Sequence, residues 1–162
     1  MAALAQWLDA TAFSQAVRRA AWLIPLLQSV HILAIAAVLS SVAMIGLRIA
    51  GFGRSQTVAA TAGRFAPWLW IGLIVLAMTG TVLIAAEPKR SLPNAAFQLK
   101  MLLLVLAVAS ATTMAVSLRK HPLAWEGNRC GGAAARALAA LTLALWCAIA
   151  IAGRWIAYAQ DT

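Results

Sequence analysis

The chain has 162 residues, of which 64% are hydrophobic and only 10% charged, and its mean hydropathy is +0.87. Soluble domains carry about 25% charged residues, and a chain this short exposes too much of its surface to hide so apolar a sequence from water; a soluble globular fold is excluded. The formal charge of +9 comes from 13 Lys and Arg against 4 Asp and Glu, but the basic residues sit mainly between apolar runs, without base-stacking motifs or basic tracts. They read as topology signals and lipid-phosphate contacts, not as a nucleic-acid surface.

In chain order, residues 1–21 come first. Ala3 to Ala20 reads as one amphipathic helix: Leu4, Trp7, Leu8 and Val17 can share a face, while Asp9, Gln15, Arg18 and Arg19 interrupt the rest. Such a helix lies in the membrane interface. It is not a convincing signal peptide, because Asp9 interrupts it and no short apolar region leads into a small-residue cleavage site.

Residues 22–162 hold four long apolar runs. The first span covers about 22–47, with Pro25 near its start, where a missing N–H does no harm. Arg48 closes it. The second covers about 66–86, with Pro67 at a helix-start position, and Glu87-Pro-Lys-Arg90 ends it. Ser91 is the expected N-cap of the third, about 95–118, with Pro93 in its first turn. Arg119-Lys-His-Pro122 stops it, and a polar loop runs through Gly132. The fourth covers about 137–159. Each has roughly 20 residues or more, enough for an apolar core of about 30 Å. The fold class is all-α: an integral membrane four-helix bundle with an N-terminal amphipathic interfacial helix.

Seven basic residues (Arg48, Arg54, Arg64, Arg119, Lys120, Arg129 and Arg136) lie between spans one and two or three and four, against four (Arg18, Arg19, Lys89 and Arg90) on the other side. The bias predicts cytoplasmic loops there and both termini outside, in the periplasm of a bacterial inner membrane. The tryptophans suit an interfacial belt: Trp22 and Trp155 at the outer surface, Trp68, Trp70 and Trp125 at the inner one, and Trp146 deeper. Small residues such as Ala34, Ser41, Gly72, Gly80, Ala107 and Ala111 permit close helix approach and self-association.

Ionisable residues inside a span are costly and mark sites by default. His31, Lys100 and Arg154 qualify, all in the outer half. His31, with Gln28 one turn earlier on its face, reads as a haem or copper ligand. The competing reading is a histidine hydrogen-bonded to a neighbouring helix, or to Gln28 through a water. Lys100 and Arg154 would hold an anion such as a haem propionate, a quinone oxygen or a substrate acid; alternatively, they snorkel. No carboxylate falls within a span. Met78, Met101 and Cys147, with His31, could form a soft set suited to Cu(I), although methionines more often fill cores. Haem b is the first cofactor candidate and copper the second. A bis-histidine haem is not expected, since the other histidine, His121, follows the third span on the opposite side. Cys130 and Cys147 differ in depth and do not suggest a disulfide. No paired-carboxylate, Ser–His–Asp, HExxH or P-loop pattern is present, so a stand-alone enzyme is not indicated.

Several segments together carry a resemblance: Pro25-Leu-Leu-Gln-Ser-Val-His31, Leu47-Arg48, Ala66-Pro-Trp-Leu-Trp70, Thr79-Gly80, Asn94-Ala-Ala-Phe97-Gln-Leu-Lys100-Met101, and Ala152-Gly-Arg-Trp-Ile-Ala-Tyr158. Over nearly its whole length the chain resembles a family of uncharacterised bacterial four-helix inner-membrane proteins, a domain of unknown function, loosely similar to the membrane domain of copper-resistance D proteins. The resemblance implies the four-span fold and picks out His31, Arg48, Asn94, Lys100 and Arg154. It supplies no activity. Many members of that family carry a second histidine near the end of the third span, where this chain has Ala115-Val-Ser-Leu118, a departure that weakens a haem assignment carried over from the resemblance. The expectation is a protein associated with a redox or metal system, as a haem- or quinone-associated subunit or a copper-handling component. The alternative is a cofactor-free structural or accessory subunit of a larger membrane complex. Partners would be the bilayer and membrane-complex subunits or further copies of the chain, with no nucleic acid.

Overall fold

A computed structural model describes residues 2–20, 22–53, 55–120, 125 and 131–158. Among these the chain is all helical: α1 (Ala2–Asp9), α2 (Ala12–Arg19), α3 (Leu23–Ala50), α4 (Val58–Ala86), α5 (Pro88–Ser91), α6 (Ala95–Lys120) and α7 (Gly131–Tyr158). Four of them, α3, α4, α6 and α7, are long and apolar enough to span a membrane. Their outward faces carry large apolar side chains such as Ile32, Leu33, Ile71, Leu102, Val105 and Ile151. Lipid is the solvent that tolerates such a surface. The protein is a multi-pass α-helical membrane bundle.

The N-terminal amphipathic segment is two helices, not one. Thr11 breaks it: its hydroxyl donates to the Leu8 carbonyl at 2.7 Å and accepts the Ser14 N–H at 3.3 Å. A Thr side chain that caps a new helix competes with continuation of the old one. The pair is docked on the bundle. α1 packs on α5 and α2 on α4, burying Ala5, Ser14 and Val17 while Trp7 and Phe13 stay exposed. Asp9 joins the pieces, paired with Arg18 and, at 2.5 Å, with Lys89 of α5.

The spans begin and end differently from the sequence expectation at three places. α4 starts eight residues before 66, because Thr57 caps it by accepting the Ala60 N–H at 3.0 Å. Pro67 is therefore inside the helix, where it cannot donate to the carbonyl of Gly63. Ser91 closes the short α5 instead of capping the third span. Asn94 caps α6, its Oδ1 accepting from Ala96 at 2.8 Å and Phe97 at 3.4 Å. Pro93 therefore precedes the cap. α7 starts six residues before 137, at Gly131. At the end of α3, Gly51 has φ 106° and its N–H returns to the Arg48 carbonyl. That left-handed position suits glycine.

The spans alternate in direction, and α3 packs on both α4 and α7, while α6 packs on α7. α4 and α6 barely touch. One core cluster joins Val38 and Val42 of α3, Leu69 of α4, Ala107 and Ala111 of α6, and Trp146 and Ile149 of α7. A second, at the opposite end from the termini, joins Ile45, Val58, Met114, Leu118, Trp125, Ala135 and Ala139. α3 and α4 approach closely at Gly72. A Cβ added at Gly72 would stand 2.7 Å from Val38 Cγ2 and 3.4 Å from the Ala34 carbonyl oxygen. Only a residue without a side chain allows that approach.

The tryptophans divide accordingly. Trp22 and Trp68 are exposed, 68% and 60%, as an interfacial belt requires. Trp70 is half-buried and turned into the bundle, and Trp125 is buried, donating to Ser117 Oγ at 3.1 Å. These two pack instead of forming a belt. Trp146 is the largest fully buried side chain.

Candidate functional site

Where α4 and α6 separate, a cavity of about 670 Å³ occupies the half of the bundle nearer the termini. His31 and Gln28 of α3, Lys100 and Met101 of α6, and Gly80 of α4 all line it. Most of the remaining wall is apolar, from Ile24, Leu73, Leu104, Ile149 and their neighbours, with Glu87 and Ser91 at the end toward α5. Ile74 lines it while 61% exposed, so the chamber opens toward the lipid-facing surface beside α4. This size and lining, apolar with a few polar groups, is that of a small-molecule site.

The orientation of the histidine is set by one neighbour. His31 Nδ1 lies 2.7 Å from Thr79 Oγ1. The Thr79 hydroxyl also lies 2.7 Å from the Val75 carbonyl, to which it donates. A hydroxyl has one proton. With that proton committed to Val75, Thr79 accepts from His31 Nδ1–H, and the lone pair of the neutral ring is on Nε2. Thr79 thus fixes both ring position and tautomer, as second partners of functional histidines do. Of the two readings the sequence left open, the hydrogen bond to a neighbouring helix is present, and it leaves Nε2 able to ligate or accept. Gly80 gives the ring space: a Cβ there would be 3.5 Å from His31 Cε1.

Lys100 reaches across from α6 to α7. Its Nζ lies 3.5 Å from where a Cβ on Gly153 would be, and no carboxylate pairs with it among the described residues. Lys100 is half-buried in the cavity wall. Trp146, in the same wall, has a buried indole N–H with no hydrogen-bond partner among the described residues.

The expected site residues separate into those brought together and those not. His31, Gln28 and Lys100 converge on one cavity. Arg154 is on α7, one residue beyond Gly153, but its side chain lies outside the described residues, as do His121 and Cys130. The soft-ligand set does not assemble. Met101 lines the cavity with His31, whereas Met78, 67% exposed, and Cys147, also exposed, do not. Helical phase is the reason: both occupy outward faces of helices whose opposite faces pack. Among the described residues no three His, Cys, Asp or Glu side chains group as a metal site.

Sequence reasoning missed Thr79 as a site residue. A threonine within a span most often bonds back to its own helix, as Thr81, Thr112 and Thr113 do here, and only the facing histidine distinguishes Thr79. Trp70 was also missed, having been placed in the belt.

No family model, curated protein or solved structure matches the chain. The class that the fold defines is a polytopic α-helical membrane protein, and its function has to be argued from the cavity.

Proposed function

We propose that this is a small bacterial inner-membrane protein of a redox system, a haem- or quinone-associated subunit whose cofactor or carrier occupies the cavity of His31 and Lys100. One observation carries the reading: a tautomer-fixed histidine and an amine with no carboxylate partner among the described residues share one mostly apolar chamber within the membrane-spanning part of the chain. Polar groups at that depth are expensive unless a ligand uses them. If a haem is bound, His31 Nε2 would hold its iron and Lys100 would pair with a propionate. A quinone would take a hydrogen bond from Lys100, and its reduced form would donate to Nε2. Copper handling is the weaker branch, because only His31 and Met101 of the soft set share the chamber. Both termini are assigned to the periplasm by the basic residues of the two other loops.

The test is purification in mild detergent, a visible spectrum with and without dithionite, and solvent extraction for haem and quinone. A stoichiometric chromophore or quinone that is lost in His31→Ala supports the reading. Protein with neither, that also fails to bind added haem or quinone, overturns it. The alternative, a cofactor-free accessory subunit, is favoured by the open side between α4 and α6, which would receive a partner helix; it predicts co-purifying proteins and an empty chamber.

A further inference from the structure

A second cavity, about 520 Å³, lies in the other half of the bundle. It too occupies the gap between α4 and α6, lined by Ala59, Gly63, Ala66 and Pro67 on one side and Ala111, Met114, Ala115 and Leu118 on the other. Trp70 lines both chambers. Along α4 the two run from Ala86 to Ala59, which at 1.5 Å per residue is about 40 Å. This exceeds the hydrocarbon thickness of a bilayer, about 30 Å. The polar side chains Gln28, His31, Lys100, Glu87 and Ser91, and the indole of Trp146, all line the chamber nearer the termini. Beyond Trp70 the wall is apolar down to Arg119 at its far end.

We infer that this seam is the binding track of an isoprenoid quinone, whose ring lies between His31 and Lys100 and whose tail passes Trp70 into the cavity around Gly63 and Ala115. The inference rests on the proposed function and selects its quinone branch. A haem is compact and leaves the second cavity without a purpose. A diacyl phospholipid keeps its phosphate at the interface, whereas His31 lies eight residues inside α3. A quinone has the required form: one polar ring at depth and one long apolar tail. Its carbonyls accept from an amine, and its reduced hydroxyls donate to an imidazole lone pair, so Lys100 and His31 serve the two redox forms separately. Access is lateral, from the bilayer through the α4–α6 gap, and needs no aqueous path.

In lipid the tail gains little hydrophobic energy by leaving one apolar medium for another. The ring contacts must supply affinity, while the seam decides whether a tail is admitted. This separates the two ideas experimentally. Full-length protein in lipid nanodiscs would be titrated with a head-only quinone and with a long-tailed quinone of the same head, followed by quenching of tryptophan emission. The comparison is wild type against Gly63→Leu combined with Ala115→Leu, with helicity checked by circular dichroism, and against His31→Ala.

Expected is loss of both ligands in His31→Ala. In the plugged variant, a weakening of about tenfold or more is expected for the long-tailed quinone alone. Equal binding of both quinones by the plugged variant overturns the tail track and leaves the site reading intact. Failure of wild type to bind either quinone, with haem bound instead, overturns the track and the quinone branch together. Binding of neither quinone nor haem overturns the proposed function as well. If the plugged variant misfolds, a long-tailed quinone with a photoreactive tail end, crosslinked to wild type, replaces it. Labels at Gly63, Ala66 or Ala115 support the track, and labels confined to outward faces such as Ile71 overturn it.

Discussion

Among the spans, helix α4 faces α3 and α6 and treats them in opposite ways. Against α3 it closes until Gly72 has no room for a methyl group beside Val38. Against α6 it stays apart, and two cavities occupy the gap. Both faces are apolar and both include small residues. In the half of the bundle away from the termini Ala59, Ala62, Gly63 and Ala66 of α4 look across to Ala111 and Ala115 of α6, and still the helices barely touch. Small side chains permit close approach but do not compel it. α6 is held by α7, α7 by α3, and α3 by α4, so the α4–α6 distance is set by the other three contacts. In water the hydrophobic effect would tend to collapse such a gap; in lipid, tails can fill it at little cost. The closed contact leaves no space, and the open one leaves the two cavities.

The largest expected effect tests the closed side. Trp146→Ala should remove about 3–5 kcal/mol from the core, read as a lowered melting temperature in detergent; a change near zero would mean that the core cluster is not the bundle's main support. Next, Gly72→Ala should cost about 1–3 kcal/mol through overpacking against Val38, whereas Gly63→Ala, with nothing within 4 Å of the added Cβ, should be tolerated. Equal effects at the two glycines would erase the contrast between the sides.

The open side is tested more gently. Thr79→Val keeps shape but removes the acceptor for His31 Nδ1–H, and ligand affinity should fall by roughly two- to tenfold, the net worth of one hydrogen bond. If affinity is unchanged, Thr79 does not position the ring. Trp146→Phe should cost clearly less than Trp146→Ala, since only the volume difference between the two rings is left as a cavity and the indole N–H it deletes has no partner among the described residues. A clear loss of ligand binding in that variant, with stability kept, would reveal a ligand acceptor on the indole.

The smallest effect concerns the N-terminal helices. Hydrogen bonds from Lys89, then from Arg18, hold the Asp9 carboxyl below its ordinary value of 3.8. A depressed carboxyl contributes when ionised, so the clasp between α1 and α5 is in full force above that value and fades as pH falls below it. Limited proteolysis within α1 and α2 should accelerate at low pH and in Asp9→Asn, while the four spans stay intact. The pairs are exposed and screened by salt, so ionic strength should have the same effect in milder form.

Hydropathy, run length and turn residues by themselves determined the four spans, because no other solvent accommodates such segments. They also singled out His31, Gln28 and Lys100, since polar groups in apolar runs are costly wherever the chain puts them. The helix starts were legible only locally and were misjudged at Pro67, read as a first-turn proline, and at Ser91, where Asn94 is the true cap. Thr11 hid a break because its amphipathic surroundings continue on both sides. The grouping of Met78 and Cys147 with His31 failed for a different reason: shared depth is not shared face, and helical phase relative to neighbours is a tertiary property. Only the tertiary structure decided that Thr79 holds the histidine, that Trp70 faces inward, and that α4 packs on α3 and barely touches α6. Each of these depends on which helix stands opposite which, and in a membrane, where every span is apolar on all sides, no hydrophobic stripe in the sequence records it.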